Sequence, residues 1–202
     1  MLIRLYEENP NSKEIERIVG ILKDGGIIIY PTDSLYAFGC DITNAHAVEK
    51  ICKIKNIDPG KMPLSFVCSN ISHISQYSQL DNNTFKLLKE CLPGPFTFLL
   101  NGNSNLPKLF KKKKTVGVRI PDNGIALALV EALGNPILST SIFIDEDEPE
   151  YSTNPELIEE NYAGQVDCVI DGGGGSLEPS TIIDCTGDKP YLKRKGKGEV
   201  IL

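Results

Sequence analysis

Residues 23–40 read KDGGIIIYPTDSLYAFGC and contain a buried strand that ends directly in a turn rich in hydroxyl groups. The pair Gly25-Gly26 ends the helix predicted before the strand, because glycine disfavours helix interiors. Ile27 to Tyr30 is an unbroken apolar run, which is typical of a strand covered on both faces. Such a strand belongs to a sheet with helices packed on it, so the stretch predicts an α/β fold.

Three polar residues follow this strand at its carboxyl end. Pro31 lacks the N–H that would continue a sheet ladder, so the strand ends at Tyr30. Thr32, Asp33 and Ser34 come next, where open α/β sheets bind their ligands. The same residue types are favoured at helix N-caps, and the residues alone support both interpretations equally. This junction is the strongest candidate for a functional site in the chain.

The whole stretch resembles the Pro-Thr-(Glu/Asp)-(Thr/Ser)-x-Tyr-(Gly/Ala)-(Leu/Phe)-Gly signature of the YrdC/Sua5/YciO family. The resemblance covers nearly all of the 202 residues. Residues 33–40 and the LSTS segment at 138–141 are most similar to the YciO branch. The resemblance implies one YrdC-like α/β domain over residues 1–202, with a twisted mixed sheet, flanking helices and a large concave cleft lined with positive charge.

Composition limits the class of protein. The chain has 41% hydrophobic and 24% charged residues, as soluble globular proteins do, and its length suffices for one substantial core. Its apolar runs fall far short of the roughly 20 residues that span a bilayer, and no signal peptide is visible. The six cysteines form no Cys-x-x-Cys pair, so we expect reduced, mostly buried thiols rather than zinc ligands. These features predict a cytoplasmic protein without a membrane partner.

Hydrophobic periodicity predicts helices and strands that alternate along the chain. The predicted helices are residues 11–22, 44–55, 84–91, 124–133 and 154–161, the first with Ser12 as a capping residue. The predicted strands are residues 27–30, 64–68, 96–100, 115–120, 136–143, 166–170 and 181–184. Several strands follow one another directly, which predicts a mixed sheet. Residues 107–114 are too polar for a buried segment.

Charge is distributed unevenly along the chain. The net charge of −6 argues against indiscriminate nucleic-acid binding, which depends on neutralising phosphates. Basic residues nevertheless concentrate at 111–114 and at 193–197, while residues 145–150 are acidic. A local basic patch can contact a phosphate or RNA, although a solvated surface is the commoner role of a lysine run. The glycines at 172–175 match no phosphate-loop pattern, which favours a flexible turn.

Two cations stand out from their surroundings. Lys55 ends the second predicted helix, where a lysine serves either as a mobile charge for a polyphosphate or as a partner of the helix dipole. Arg119 interrupts an apolar strand, and a buried cation requires a partner. A substrate carboxylate or phosphate would satisfy Arg119, and so would an internal Asp or Glu. The residues alone make Arg194 a surface charge.

The family resemblance assigns roles to these cations and to hydroxyl residues at strand ends. It implies that Lys55 and Arg119 are catalytic. It implies a nucleotide-binding set of Lys55, Thr115, Ser141 and Arg194, and a threonine-binding set of Thr32, Ser34, Arg119, Thr140 and Ser180. In the family, the arginine similar to Arg119 binds the carboxylate of threonine.

The implied reaction condenses L-threonine, bicarbonate and ATP to threonylcarbamoyl-adenylate and pyrophosphate, on the route to threonylcarbamoyladenosine in tRNA. ATP enters as its Mg²⁺ complex, and no protein-bound metal is expected. Ile57, Met62 and Val67 stand where the family has arginine, asparagine and histidine, and Ser141 to Phe143 match its Ser-Ala-Asn only at the serine. These departures keep a second hypothesis open, a noncatalytic protein that binds double-stranded RNA or tRNA. The oligomeric state is not determined by the sequence.

Overall fold

The computed structural model describes residues 1–58 and 64–201, and one sheet of ten strands organises this part of the chain. In chain order the strands are β1 Leu2–Arg4, β2 Ile28–Tyr30, β3 Ala37–Asp41, β4 Ser65–Val67, β5 Phe96–Asn101, β6 Thr115–Arg119, β7 Ile137–Ser141, β8 Cys168–Asp171, β9 Thr181–Asp184 and β10 Tyr191–Arg194. The helices are α1 Ser12–Lys23, α2 Ala45–Ile54, α3 Ile71–Ser75, α4 Asn82–Cys91, α5 Gly124–Leu133, α6 Glu150–Thr153 and α7 Pro155–Asn161. A 3₁₀ turn covers Lys111–Lys113.

The sheet is mixed, as the sequence predicts. The strands lie in the order β1-β8-β2-β3-β7-β4-β6-β5-β9-β10. β8 pairs in parallel with β1 and with β2, and the pairs β4–β6 and β5–β9 are also parallel. The remaining neighbours pair in antiparallel fashion. A mixed α/β domain is therefore confirmed.

The hydroxyl turn after β2 connects two antiparallel strands, not a strand and a helix. β2 pairs with β3, with Ile28 opposite Gly39. The interpretation of Thr32, Asp33 and Ser34 as a helix N-cap is therefore wrong. β3 was not predicted, because Gly39 interrupts its apolar pattern. β1, β10, α3 and α6 were also missed, since segments of three to five residues are too short to show a period.

Large apolar side chains cover one face of the sheet. Phe38, Phe66 and Phe98 are fully buried in one cluster with residues of α2, α4 and α7. Phe110 packs edge-on against Phe66, with ring centroids 4.9 Å apart. Phe110 is only 6% exposed, so the prediction that residues 107–114 stay unburied is wrong at this position. Its burial anchors the polar segment, since one large apolar side chain contributes about 1.5–3 kcal/mol when buried.

Helices pack on one part of the opposite face of the sheet, and no helix among the described residues covers the other part. α1 and α5 pack over its first part, where Ile18 is fully buried. Farther along, one row of aligned positions consists of Gly39, Ser139, Ser65 and Gly117 on neighbouring strands. A Cβ at Gly117 would lie 2.7 Å from Ser65 Oγ, so the close approach requires glycine. These small residues leave space above the strands.

Asn11, not Ser12, caps α1. The backbone of Asn11 is extended, and its Oδ1 accepts hydrogen bonds from Lys13 N at 3.0 Å and from Glu14 N at 3.3 Å. Ser12 is already the first residue of the helix. The assignment of Ser12 as the capping residue is therefore wrong, whereas the predicted helix itself is confirmed with a shift of about one residue.

Asn11→Ala should lower the free energy of unfolding by about 0.5–2 kcal/mol, because two N–H groups at the start of α1 lose their acceptor. Urea denaturation measures the change. Ser12→Ala is the matched control, and its effect should stay within about 0.5 kcal/mol because the side chain is exposed. Equal losses in the two variants would show that Asn11 is not the cap.

Cys185 is half-buried and the other five cysteines are buried, as expected for structural thiols. Among residues 1–58 and 64–201, no helix combines the length and the apolar character needed to cross a bilayer. The same residues contain no cluster of three or more His, Cys, Asp or Glu side chains arranged to hold a metal ion.

Candidate functional site

A cleft of about 510 Å³ lies over the small side chains of the sheet. The cations along it are Lys55, Arg119, Lys193 and Arg194. The hydroxyl side chains along it are Ser34, Ser65, Thr97, Ser139, Thr140, Ser141 and Ser180. Such a combination of cations and hydroxyl groups suits an anionic ligand that also accepts hydrogen bonds.

The cleft brings together most of the predicted site residues. Those that line it are Ser34, Lys55, Arg119, Thr140, Ser141, Ser180 and Arg194. Thr32 instead lines an adjoining pocket of about 390 Å³, which shares Ser34 with the cleft. Thr115 lines neither space. It lies on the same face of β6 as Arg119 but at the other end of the strand, opposite Asn101.

Arg119 already has a carboxylate partner within the chain. Its Nη2 donates hydrogen bonds to Asp33 Oδ1 at 2.7 Å and to Ser34 Oγ at 2.9 Å. The other carboxylate oxygen of Asp33 accepts a hydrogen bond from Asp122 N at 2.8 Å. The side chains of Arg119 and Asp33 are 8% and 7% exposed, so the pair is largely desolvated. Of the partners that the sequence left open, the internal carboxylate is present.

The guanidinium group of Arg119 nevertheless retains unused donors. Its Nε is buried and has no hydrogen-bond partner among the described residues. Only Nη2 bonds to Asp33 and Ser34. A buried donor without a partner is rare in native proteins and needs an explanation, such as a bound ligand or water. Arg119 therefore has a buried N–H donor that a ligand in the cleft could engage.

Hydrogen bonds also hold the hydroxyl turn between β2 and β3. Thr32 Oγ1 donates to Leu35 O at 2.7 Å and accepts from Ser34 N at 3.0 Å. Lys197, in the segment after β10, donates from Nζ to Asp33 O at 2.7 Å. The turn is thus closed by its own threonine, as Ser and Thr side chains do in many turns. This arrangement holds Ser34 at the border of the cleft.

Lys55 is the C-cap residue of α2, close to the predicted helix end. Its Nζ donates a hydrogen bond to Ser141 O and lies 4.8 Å from the centroid of the Phe143 ring. Burial lowers the pKa of Lys55 from its ordinary value, because its surroundings solvate the ammonium group less well than water does. The lysine is therefore held at the cleft and does not extend freely into solvent.

Arg194 on β10 reaches the cleft from the edge of the sheet. Its Nη2 donates to Ser180 O at 2.7 Å, and Ser180 Oγ lies 2.8 Å from Thr97 Oγ1. Burial lowers the pKa of Arg194, and the positive charge of Arg119 lowers it further. Two cations that repel each other in this way are both stabilised when an anion binds between or beside them. Arg194 is exposed on the edge strand, as the interpretation of a surface charge expects, and it also lines the cleft, which that interpretation does not include.

Two of the departures from the family pattern are parts of the core. Ile57 packs against the apolar cluster beneath α2, and Val67 is fully buried in the cluster beneath α1 and α5. Neither aliphatic side chain can donate a hydrogen bond to a ligand. Met62 lies in residues 59–63, outside the described residues. Because Ile57 and Val67 replace the arginine and histidine of the family pattern, the positive charge of the cleft comes from Lys55, Arg119, Lys193 and Arg194.

Sequence reasoning missed two participants at this site. Asp33 was seen as part of the hydroxyl turn but not as the partner of Arg119. Lys193 lines the cleft, and its Nζ lies 3.3 Å from Asp184 Oδ2. The basic run at 193–197 was the only signal for Lys193. For Asp33 no local signal existed, because its partner is 86 residues away in the chain.

The glycines at 172–175 form a packed turn. Three of the four amide groups donate within the chain, to oxygen atoms of Tyr36, Asp171 and Thr153. A Cβ at Gly175 would lie 2.6 Å from the Tyr36 ring, so close packing requires the missing side chain. The turn therefore has few free N–H groups for a phosphate, which agrees with the missing phosphate-loop pattern, whereas its close packing differs from the flexible turn that the sequence favours.

Comparison with known sequences identifies a matching family and similar proteins. The family model for Sua5, YciO and YrdC, described as "Telomere recombination", matches residues 20–196. YciO of Escherichia coli (strain K12) is 42% identical over 198 residues, which cover 97% of this chain and 95% of YciO. Threonylcarbamoyl-AMP synthase of Bacillus subtilis (strain 168) is 30% identical over 201 residues, which cover 94% of this chain and 55% of that enzyme.

Two solved structures, of YciO and of a Sua5 protein, match nearly the whole chain. The crystal structure of E. coli YciO matches with a TM-score of 0.90 and 40% identity, covering 98% of this chain and 97% of that chain. Sua5 of P. abyssi complexed with L-threonine matches with a TM-score of 0.86 and 26% identity, covering 97% of this chain and 57% of that chain. The mixed α/β fold is thus shared with both proteins.

Proposed function

The chain belongs to the Sua5/YciO/YrdC family, and from this premise we propose that it is an L-threonylcarbamoyladenylate synthase or a close homologue. In the proposed reaction, L-threonine, bicarbonate and ATP condense to threonylcarbamoyl-AMP and pyrophosphate, for the modification of tRNA to threonylcarbamoyladenosine. The similarity to the Bacillus subtilis synthase and to a Sua5 protein that holds L-threonine supports this assignment.

The observation that carries the proposal is the convergence of Lys55, Arg119 and Arg194 on one cleft rich in hydroxyl groups. The threonine amine and bicarbonate form a carbamate and water. A carbamate oxygen then attacks the α-phosphorus of ATP, and pyrophosphate leaves with the electron pair of the broken P–O bond. The protein has to orient the reactants and to place cations at developing negative charge.

The residues of the cleft divide between two substrates in this proposal. Lys55 and Arg194 are assigned to the phosphates of the Mg²⁺–ATP complex, which enters as a substrate. Arg119 is assigned to the threonine carboxylate, through N–H groups that Asp33 does not use. Ser34, Thr140 and Ser180 orient threonine, and Ser141 orients the nucleotide. Thr115 and Thr32 lie outside the cleft. The predicted contacts of Thr115 with the nucleotide and of Thr32 with threonine therefore require a ligand position that extends beyond the cleft.

The decisive experiment is an assay of pyrophosphate release from ATP by the full chain. Release should require threonine and bicarbonate together. Release with bicarbonate and a different amino acid would assign the same chemistry to another substrate, whereas no release under any of these conditions would contradict the proposal.

Binding of double-stranded RNA or tRNA without catalysis is the second candidate. Lys111, Lys112 and Lys114 are exposed on the 3₁₀ turn and its end, which the buried Phe110 anchors to the core. None of these three lysines forms an ion pair with a described residue. Unpaired cations on a fixed turn are suited to neutralising RNA phosphates.

Replacing Lys111, Lys112 and Lys114 with Gln should flatten the salt dependence of RNA binding. Each phosphate that a lysine neutralises adds about 0.9 to the slope of log affinity against log salt for a B-DNA-like duplex, so the slope should fall by up to roughly 3. Filter binding with a double-stranded RNA at several salt concentrations measures it. Tripolyphosphate affinity is the control and should not change. An unchanged slope would make the lysines a solubility feature.

A further inference from the structure

Phe143 occupies an exposed position beside the cleft. It follows the end of β7 by two residues, and its side chain is 51% exposed. Its backbone is held at both polar groups: its N–H donates to Tyr162 Oη at 3.3 Å, and its carbonyl accepts from Ser152 Oγ at 3.2 Å. A fixed backbone therefore presents an aromatic ring to solvent, where the family pattern has a polar asparagine.

The ring of Phe143 contacts the ammonium group of Lys55. The distance of 4.8 Å from Lys55 Nζ to the ring centroid lies within the roughly 6 Å range of cation–π attraction. The same ammonium group donates to Ser141 O. An ammonium group has three N–H donors, so the carbonyl and the ring leave donor capacity for a ligand in the cleft that Lys55 lines.

We infer that Phe143 is a positioning residue, whose ring together with the Ser141 carbonyl holds the Lys55 ammonium group ready for the triphosphate. This inference rests on the proposed role of Lys55 as a phosphate ligand. A lysine that is free in solvent loses rotamer freedom when a phosphate fixes it. In this chain Lys55 already loses much of its rotamer freedom when the protein folds, because the Phe143 ring and the Ser141 carbonyl hold it. That part of the entropy loss therefore does not weaken ligand binding. The lowered pKa of Lys55, caused by burial, agrees with an ammonium group partly shielded from water.

Phe85 on α4 provides a matched comparison within the chain. Its ring is 44% exposed, and Lys89 Nζ lies 6.0 Å from the ring centroid. Neither Phe85 nor Lys89 lines the cleft. Phe85→Leu therefore removes a similarly exposed ring with a lysine neighbour, without affecting the candidate site.

Calorimetric titration of the full chain with inorganic tripolyphosphate tests the inference. Phe143→Leu should weaken binding by about 3- to 30-fold, because Lys55 would then lose up to about 2 kcal/mol of rotamer freedom when the ligand binds and not when the chain folds. Phe143→Tyr keeps the aromatic ring and should stay within about twofold of the wild-type affinity. Phe85→Leu should bind as the wild type does. Thermal unfolding confirms that the variants are folded, which the exposure of both rings favours.

Unchanged affinity in Phe143→Leu would overturn the inference, and so would an equal loss in Phe143→Tyr, because the aromatic ring would then be irrelevant. Lys55→Met separates this failure from failure of the proposed function. If Lys55→Met binds tripolyphosphate normally, Lys55 is not a phosphate ligand, and both the positioning role of Phe143 and the assignment of Lys55 within the proposed function fail, whereas pyrophosphate release still tests the function itself. If Lys55→Met binds weakly but Phe143→Leu does not, only the positioning role fails. In the Lys55→Met background, Phe143→Leu should have no further effect.

Discussion

Arg119→Ala should abolish threonine-dependent pyrophosphate release and destabilise the fold at the same time. Loss of the guanidinium group leaves the buried Asp33 carboxylate with the hydrogen bond from Asp122 N but without its cation. Breaking one side of a buried ion pair costs about 3–5 kcal/mol in free energy of unfolding. Loss of the cation assigned to the threonine carboxylate should weaken threonine binding by about 2–5 kcal/mol. Urea denaturation and calorimetry with threonine measure the two effects.

The double variant Asp33→Asn/Arg119→Met separates the structural role of Arg119 from its proposed binding role. It removes both charges and retains an amide oxygen that can accept the hydrogen bond from Asp122 N. Most of the lost stability should return, because removing both charges of a buried pair is far less costly than leaving one unpaired. Pyrophosphate release should remain absent. If activity returned with stability, Arg119 would be an internal structural partner only.

Lys55→Ala and Arg194→Ala should each lower threonine-dependent pyrophosphate release by about 100-fold or more. Each variant removes a cation that we assign to the phosphates of ATP, and a preorganised charge-stabilising group contributes about 10²–10³ in rate. Initial rates over a range of ATP concentrations separate kcat from KM. A loss confined to KM would show that the cation binds ATP equally well in the ground and transition states.

Two controls accompany these variants: the substitution of a surface lysine, and a measurement of RNA affinity. Lys108→Ala removes an exposed cation that does not line the cleft, and it should leave the rate unchanged. RNA affinity should stay nearly intact in Lys55→Ala and Arg194→Ala if catalysis is the role of the cleft. A parallel loss of RNA affinity in both variants would favour the RNA-binding alternative.

Long, locally consistent segments of the fold could be predicted from the hydrophobic pattern. The predicted helix at 124–133 and the predicted strand at 181–184 coincide with α5 and β9. α5 begins after Asn123, whose side chain caps it by accepting from Ala126 N, and it ends before Gly134 in the left-handed region. Strand ends were less accurate, since the predicted strand at 136–143 is Ile137–Ser141 in the structure. Ladder pairing with β3 and β4 defines those ends, and pairing is not a local property.

The candidate site was predictable to the extent that its residues follow strands. The family resemblance named Ser34, Thr140 and Ser141 at or after strand ends, and the structure brings these three residues together in the cleft. The placement of Thr115 was not predictable in this way. Thr115 shares a face with Arg119, but the distance along β6 keeps it out of the cleft.

The sequence by itself determined the family, the mixed α/β class and the types of residue at the cleft, because short motifs and apolar periodicity encode them locally. Only the tertiary structure decided that Asp33 pairs with Arg119, and that Lys55 bonds to Ser141 and lies against Phe143. Both hydrogen-bonded pairs join residues 86 positions apart in the chain. Such partners meet only after strand order and register have formed, so no local pattern of residues could identify them.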